Sequence, residues 1–284
     1  VHLAAELAKR PVVLDGGLAT ELERRGHDLS SELWSARLLR DDPAAIVDVH
    51  SAFVAVGAEV VTSASYQASF EALGAATVAL LHRSVALARE AGPRWVAASV
   101  GPYGAMLADG SEYRGDYGRT VRELAAWHRP RLEALAAAEP DVLAVETIPC
   151  LTEVEALCAE LDALAVPAWL SITAVGESTR AGEPAAEAFA MARDCAAVFA
   201  VGVNCTAPAD VTALVRLAGD VSGKPVIAYP NSGEGWDAQR RSWTGGAAFD
   251  PADVREWLAG GARLVGGCCR VRPEDIAELA AVCG

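Results

Sequence analysis

Val198-Phe199-Ala200-Val201-Gly202-Val203-Asn204-Cys205 is a continuous apolar run that stops on an amide and a thiol, and Pro208 then opens a helical stretch reaching Ala218. An apolar run without polar alternation reads as a strand buried on both faces, as in a parallel sheet covered by helices. Pro in the first turn of a helix costs nothing, because its missing N–H has no partner there in any case. The unit is therefore strand, polar turn, helix.

The same unit recurs outward in both directions. Strands are predicted at Val12–Leu14, Val60–Thr62, Trp95–Val100, Val142–Glu146, Ala168–Thr173, Val198–Val203, Val226–Tyr229 and Arg263–Gly266. Helices are predicted at Pro43–Val56, Ala75–Ala91, Arg119–Ala138, Thr152–Ala163, Pro184–Asp194, Pro208–Ala218, Pro251–Ala259 and Pro273–Val282, with Asp42 and Asp250 as N-caps. Eight such units predict an α/β fold, a single closed (β/α)8 TIM barrel forming one domain over residues 1–284. An open doubly wound sheet is the alternative, but no Gly-x-Gly-x-x-Gly turn comes after the first strand.

The bulk properties agree. A length of 284 residues suits one barrel of this kind. The formal net charge of −14 excludes a general nucleic-acid binder or a surface that seeks anionic lipid, both of which need a basic face. No stretch approaches about 18 uninterrupted apolar residues, so no membrane span is expected. Val1–Arg10 reads as a short amphipathic helix rather than a signal peptide. Seven cysteines, an odd number, fit a disulfide framework poorly and point to the reducing cytoplasm.

Three connections are long: Gly16–Asp42, Gly101–Gly118 and Pro230–Asp250. All come after strands, on the rim where barrel enzymes place their active sites, and are candidate lids. The strand ends deliver Asp15-Gly16-Gly17, Thr62 with Ser65, Tyr66 and Gln67, Gly101-Pro102-Tyr103, Glu146-Thr147, Thr173, Asn204-Cys205, Asn231-Ser232 and Gly267-Cys268-Cys269-Arg270. Thiols and carboxylates converge on that rim.

Cys205 and the pair Cys268-Cys269 leave strands separated by only one other. Three thiolates suit zinc at Zn–S distances of roughly 2.3 Å, with one tetrahedral position left open. A buried apolar cysteine is the ordinary alternative for any one of them, and it is the reading adopted for Cys150, Cys158, Cys195 and Cys283. Gly266-Gly267 lets the backbone bend closely around a metal. Asp15 and Glu146 can bind a substrate ammonium group or do acid–base work, with a structural hydrogen bond as the plainer alternative. Asn204 reads as a donor to a thiolate or as turn chemistry. None of His2, His27, His50, His82 and His128 falls at a strand end, so a His-based triad or metal site is disfavoured. Trp34, Tyr66, Tyr103, Tyr113, Trp236 and Trp243 are loop aromatics able to wall a cationic substrate, or simply to pack. Lys224 precedes a strand and Lys9 precedes the barrel, which leaves no lysine for a Schiff-base aldolase.

The ordered motifs Asp15-Gly16-Gly17-Leu18-Ala19-Thr20-Glu21-Leu22, Thr62-Ser63-Ala64-Ser65-Tyr66-Gln67, Glu146-Thr147-Ile148-Pro149, Gly202-Val203-Asn204-Cys205, Tyr229-Pro230-Asn231-Ser232-Gly233-Glu234 and Gly266-Gly267-Cys268-Cys269-Arg270 resemble those of the homocysteine S-methyltransferase family over essentially the whole chain. The resemblance implies a zinc-bearing barrel that methylates homocysteine to methionine, with Cys205, Cys268 and Cys269 as metal ligands. It implies that Asp15, Gly16, Thr62 and Glu146 hold homocysteine. Asn204 and Tyr66 complete the predicted substrate contacts. The chain ends just after its last predicted helix, without the arm of the related betaine enzymes. It therefore looks most like compact members that use S-methylmethionine, and a monomer is expected. S-Adenosylmethionine is the second choice of donor, and selenohomocysteine or selenocysteine an alternative acceptor. A non-catalytic zinc-binding or thiol redox-sensing barrel is the competing class. Val271-Arg272 departs from the family, where Thr is common after the Arg.

Overall fold

The computed structural model describes residues 2–29, 34–237 and 242–284, with backbone alone for 34–36, 235–237 and 242–243. Eight parallel strands form the barrel: β1 (Val12–Val13), β2 (Val60–Thr62), β3 (Trp95–Val100), β4 (Val142–Ile148), β5 (Ala168–Ile172), β6 (Val198–Asn204), β7 (Val226–Tyr229) and β8 (Ala262–Val265). Their order is β1-β8-β7-β6-β5-β4-β3-β2. A parallel bridge between Leu14 and Val60 joins the two ends, with Glu59 N–H donating to Val13 O at 2.8 Å and Asp15 N–H to Val60 O at 3.1 Å. The sheet is thereby closed and its edges are used up.

The helices are α1 (Leu3–Leu7), α2 (Leu18–Arg24), α3 (Trp34–Asp41), α4 (Pro43–Ala55), α5 (Phe70–Leu73), α6 (Thr77–Glu90), α7 (Tyr103–Leu107), α8 (Val121–Ala137), α9 (Leu151–Leu164), α10 (Ala185–Asp194), α11 (Pro208–Ser222), α12 (Val254–Ala259) and α13 (Pro273–Cys283). Asp42 caps α4 by accepting from Ala45 N–H, and Thr120 with Glu123 forms a capping box on α8. Asp250 accepts from Ala252 N–H, but it opens a 3-10 turn over Pro251–Asp253, and α12 starts only at Val254.

Local signals predicted the strands to within two residues. One of the expectations needs correction. The amino-terminal helix covers Leu3–Leu7, not Val1–Arg10, because Lys9 and Arg10 turn the chain into β1. The long connection after β1 holds α2, whose N-cap is Gly17 with no side-chain cap and so carries no start signal, and α3. The stretch Phe70–Glu90 reaches the length and mean hydropathy, 1.2, of a membrane span only because charged residues within it are tolerated, so it is no uninterrupted apolar run. In the fold, α6 turns Leu80, Leu81, Val85 and Ala88 inward and lies against β3, α4 and α8.

Strand alternation sorts the core into two layers. Val13, Val61, Val96, Ala98, Leu143, Val145, Leu170, Val201 and Val265 point out and meet the helices. Val12, Leu14, Val60, Trp95, Ala97, Val142, Ala144, Trp169, Ala200, Ile227 and Leu264 fill the barrel, and Leu3 and Leu7 of α1 plug its amino-terminal end. The inward series becomes polar toward the carboxyl ends: Ala97 is succeeded by Ser99, Ala144 by Glu146, Trp169 by Ser171, Ile227 by Tyr229. At Gly202 a methyl group would overlap the Ile227 carbonyl, so only glycine lets β6 and β7 approach here. The fold thus supplies a dry floor and a polar mouth.

Candidate active site

A cavity of about 120 Å³ opens at the carboxyl ends of the strands. Asp15, Gly16, Thr62, Tyr66, Glu146, Cys205, Cys268 and Cys269 all line it. A larger recess of about 500 Å³ lies at the opposite rim around Leu3, Asp141 and Asp162, away from the thiols.

The three sulfurs gather as their positions at the strand ends require. Cys205 Sγ and Cys269 Sγ are 3.7 Å apart, and all three Sγ atoms lie within 4.8 Å of one another. Ligands about 2.3 Å from one tetrahedral ion would stand about 3.8 Å apart, so the spacing fits a shared metal. All three are free thiols. Cys205 is held lowest in pKa because the Cys268 and Cys269 thiols bond to its sulfur, and the charge on that sulfur resists ionisation of Cys268. A divalent cation is the partner that lets three adjacent thiols ionise together.

The backbone around them is tied down. Cys205 adopts a left-handed conformation (φ 46°), and its carbonyl accepts from Thr173 Oγ1 at 3.0 Å and Arg180 Nη2 at 3.2 Å. Cys268 N–H donates to Pro230 O at 2.7 Å, and Ser232 N–H donates to Cys269 O at 3.0 Å. At Gly267 a methyl group would overlap the Val271 side chain, so this loop folds over only with glycine there. Arg270, also left-handed (φ 68°), donates its N–H to Thr20 Oγ1 and forms a two-pronged ion pair with Glu234.

The two predicted carboxylates are held differently. Asp15 is buried, with its oxygens accepting from Thr62 N–H at 2.9 Å and from Thr62 Oγ1 at 3.1 Å. Glu146 accepts from Ser99 Oγ and is also held by Tyr229. Burial drives Asp15 well above the usual carboxylate range and Glu146 to about 7, and the charge of Glu146 adds to the push on Asp15. Two buried acids lining one cavity suit a cationic group set between them.

Asn204 is fully buried and does not line the cavity. Its Oδ1 accepts from Thr147 N–H at 2.6 Å and Ser171 Oγ at 2.9 Å, and its Nδ2 donates to Thr147 Oγ1 at 2.7 Å. It thereby holds Thr147, which is left-handed (φ 61°), directly after Glu146. Nδ2 also lies 3.9 Å from Cys268 Sγ.

Several contributors escaped sequence reasoning. Ser99 and Tyr229 occupy inward-facing positions, and strand alternation alone could have found them. Glu112 arrives on a 3-10 turn inside the loop after β3, next to Tyr113, which the sequence did single out as a possible wall for a cation and whose Oη lies 3.8 Å from Cys205 Sγ. Arg131, buried in α8, donates to Gly101 O and Tyr66 O and so pins the loops after β2 and β3; burial lowers it to about 10. Tyr103 meets Tyr117 and Trp127 edge-to-face and does not line the cavity, while the side chains of Trp34, Trp236 and Trp243 lie outside the described residues. None of the five histidines lines the cavity. Lys224 Nζ donates to Ala192 O and Cys195 O at the opposite rim.

Comparison with known proteins places these features in context. The sequence profile of the homocysteine S-methyltransferase family matches residues 12–283. The homocysteine S-methyltransferase of Escherichia coli (strain K12) is 44% identical, over 98% of this chain and 97% of its own. The selenocysteine Se-methyltransferase of Brassica oleracea var. italica is 41% identical, over 94% of this chain and 87% of its own. The structure superposes on the metallated form of the Escherichia coli homocysteine methyltransferase MmuM with a TM-score of 0.87 and 42% identity, covering 98% of each chain.

Proposed function

Because this chain belongs to the homocysteine S-methyltransferase family, we propose that it transfers a methyl group from a sulfonium donor to the thiol of homocysteine, giving methionine. S-Methylmethionine is the donor we favour, ahead of S-adenosylmethionine. The observation that carries this reading is the cluster of Cys205, Cys268 and Cys269 facing two buried acids, Asp15 and Glu146, across one cavity.

Cys205, Cys268 and Cys269 would hold zinc, whose Lewis acidity keeps a substrate thiol ionised at neutral pH. Asp15 and Glu146 take the ammonium group of the amino acid. Thr62 orients Asp15 through two hydrogen bonds, and Ser99 with Tyr229 orients Glu146. Gly16 offers close backbone approach beside Asp15, and Tyr66 supplies an aromatic wall. Asn204 acts from beneath by fixing Thr147. The thiol gives up its proton to solvent water, the sulfur–methyl bond of the donor breaks, and the new sulfur–methyl bond forms in line with it. The leaving thioether is neutral, so no general acid is needed. Holding the two sulfurs in line supplies much of the acceleration.

We take the chain to act as a monomer with a single catalytic domain. Seven free cysteines suit the reducing cytoplasm. The relative that methylates selenocysteine supports a selenium acceptor as a second substrate for the same site. The deciding experiment measures methionine formation from homocysteine with S-methylmethionine, S-adenosylmethionine and betaine in turn, with and without zinc. Cys268→Ser is expected to lose both bound zinc and methyl transfer while keeping its circular dichroism; full activity in zinc-free protein would reject the scheme.

A further inference from the structure

The loop after β3 brings a third carboxylate to the cavity, and the reaction above leaves it without a task. Glu112 lies in the turn Ser111–Tyr113, lines the cavity and is 3% exposed. Its Oε2 is buried with no hydrogen-bond partner among the described residues. Asp15 and Glu146 are not in this position: Thr62 satisfies the first, Ser99 and Tyr229 the second. The nearby guanidinium of Arg114 ion-pairs with Asp109 and Asp116 instead. A buried carboxylate oxygen left without a donor is costly, and a ligand that satisfies it repays the cost on binding. Burial already pushes this carboxyl up to about 7.

The surroundings of Glu112 define what would satisfy it. Its charge bears on the hydroxyls of Tyr66 and Tyr113, and both of these rings line the cavity. Tyr113 Oη is 3.8 Å from Cys205 Sγ, so this wall stands at the sulfur edge of the cavity. A sulfonium sulfur carries a full positive charge but no proton, so it cannot be bound by a hydrogen bond. Opposite charge and aromatic faces are what recognise it.

Resting on the reading that the donor is a sulfonium, we propose that Glu112, with the rings of Tyr113 and Tyr66, seats the sulfonium centre of the methyl donor, apart from the acids that take the ammonium of the acceptor. Glu112 is then a specificity-determining residue. As the methyl leaves, the donor sulfur loses its charge and with it the attraction of Glu112. The carboxylate therefore favours the bound donor over the transition state and over the neutral thioether product. Its removal is felt in the KM of the donor more than in kcat.

The test compares Glu112→Gln, which keeps the shape and loses the charge, with Glu112→Asp, which keeps the charge. Initial rates are measured with S-methylmethionine and homocysteine, and S-methylmethionine binding is followed by calorimetry. Glu112→Gln should raise the KM and Kd for S-methylmethionine by about tenfold or more, and Glu112→Asp should recover most of that loss. The KM for homocysteine should change by less than about twofold, since Asp15 and Glu146 are untouched. Unchanged donor KM in Glu112→Gln, beside an active wild type, overturns the assignment. Equal losses for both substrates in both variants overturn it too, because they mark a role in loop packing. A wild type that neither binds nor uses any sulfonium defeats the parent reading instead.

Discussion

Replacing Asn204 with Ala would separate a residue that touches substrate from one that shapes the wall substrate touches. The Asn204 amide accepts from the buried Thr147 N–H at 2.6 Å and receives no substrate itself, being fully enclosed. Alanine leaves that N–H without a partner, at a cost of about 1–3 kcal/mol. Ser171 is spared, because its hydroxyl still shares a 2.7 Å bond with Tyr229. Thr147 sits at φ 61°, a conformation costing roughly 1–2 kcal/mol for a non-glycine residue. Without the amide nothing equivalent holds it there, and the end of β4 relaxes at the expense of the pairing around it. The loss is about 1–3 kcal/mol of folding stability, partly offset where that strain is released, or a fall in Tm on the order of 2–5 °C for a chain of this size. Glu146 immediately precedes Thr147, so homocysteine affinity should fall by about tenfold as well. Urea and thermal unfolding of chelated protein give the first number, free of the stabilisation a bound metal adds. Calorimetry on metal-loaded protein gives the second. A stability change under about 0.5 kcal/mol, the size expected of an ordinary surface substitution, with homocysteine binding intact, would refute the reasoning.

Two groups outside the cavity, buried His50 and half-buried Lys224, have measurable effects of their own. His50 in α4 is fully buried, neither ring nitrogen has a partner among the described residues, and burial lowers its pKa from 6.5 to about 3. Between those values the unfolded chain takes up a proton that the folded chain refuses. Stability is therefore full above pH 6.5 and falls by about 1.4 kcal/mol per pH unit below it, roughly 2 kcal/mol between pH 7 and pH 5. His50→Leu should remove that slope in urea titrations run at several pH values; an unchanged slope would show that His50 does not contribute. The buried, lowered His128 acts in the same direction and leaves a residual slope. Lys224→Met should cost about 1–3 kcal/mol, because Nζ donates to the Ala192 carbonyl in the last turn of α10 and to the Cys195 carbonyl just beyond it. Methyl transfer should persist in this variant, and borohydride with a carbonyl compound should trap no adduct on the wild type; loss of turnover in a folded Lys224→Met protein would contradict this.

The legible parts of the protein are those written in local pattern. The bounds of β2, β3 and β7 could be read to the residue, since an apolar run between turn signals needs no knowledge of its neighbours. The caps at Asp42 and Asp250 were equally local. The helix α2 was not legible, because glycine at its N-cap offers no side-chain bond. Glu112 was not legible either. Nothing in Ser111-Glu112-Tyr113 distinguishes a solvated acid from one folded into a cavity, and the turn is set by how the loop packs on itself, including the close approach of Gly104 to Ser111 and Glu112.

By itself the sequence determined which residue types stand at each strand end, because strand alternation and the strand-to-helix rhythm are properties of adjacent residues. It placed thiols at 205, 268 and 269 and acids at 15 and 146 on one rim. Only the tertiary structure decided which of them meet. Closure through Leu14 and Val60 brings β1 against β2, which ties Asp15 to Thr62 rather than leaving it free. The same closed barrel sets Cys205 3.7 Å from Cys269, turns Asn204 beneath the floor, and brings Glu112 in from a loop. Distances across a barrel depend on the stagger of all eight strands together, and no single segment of the chain contains that information.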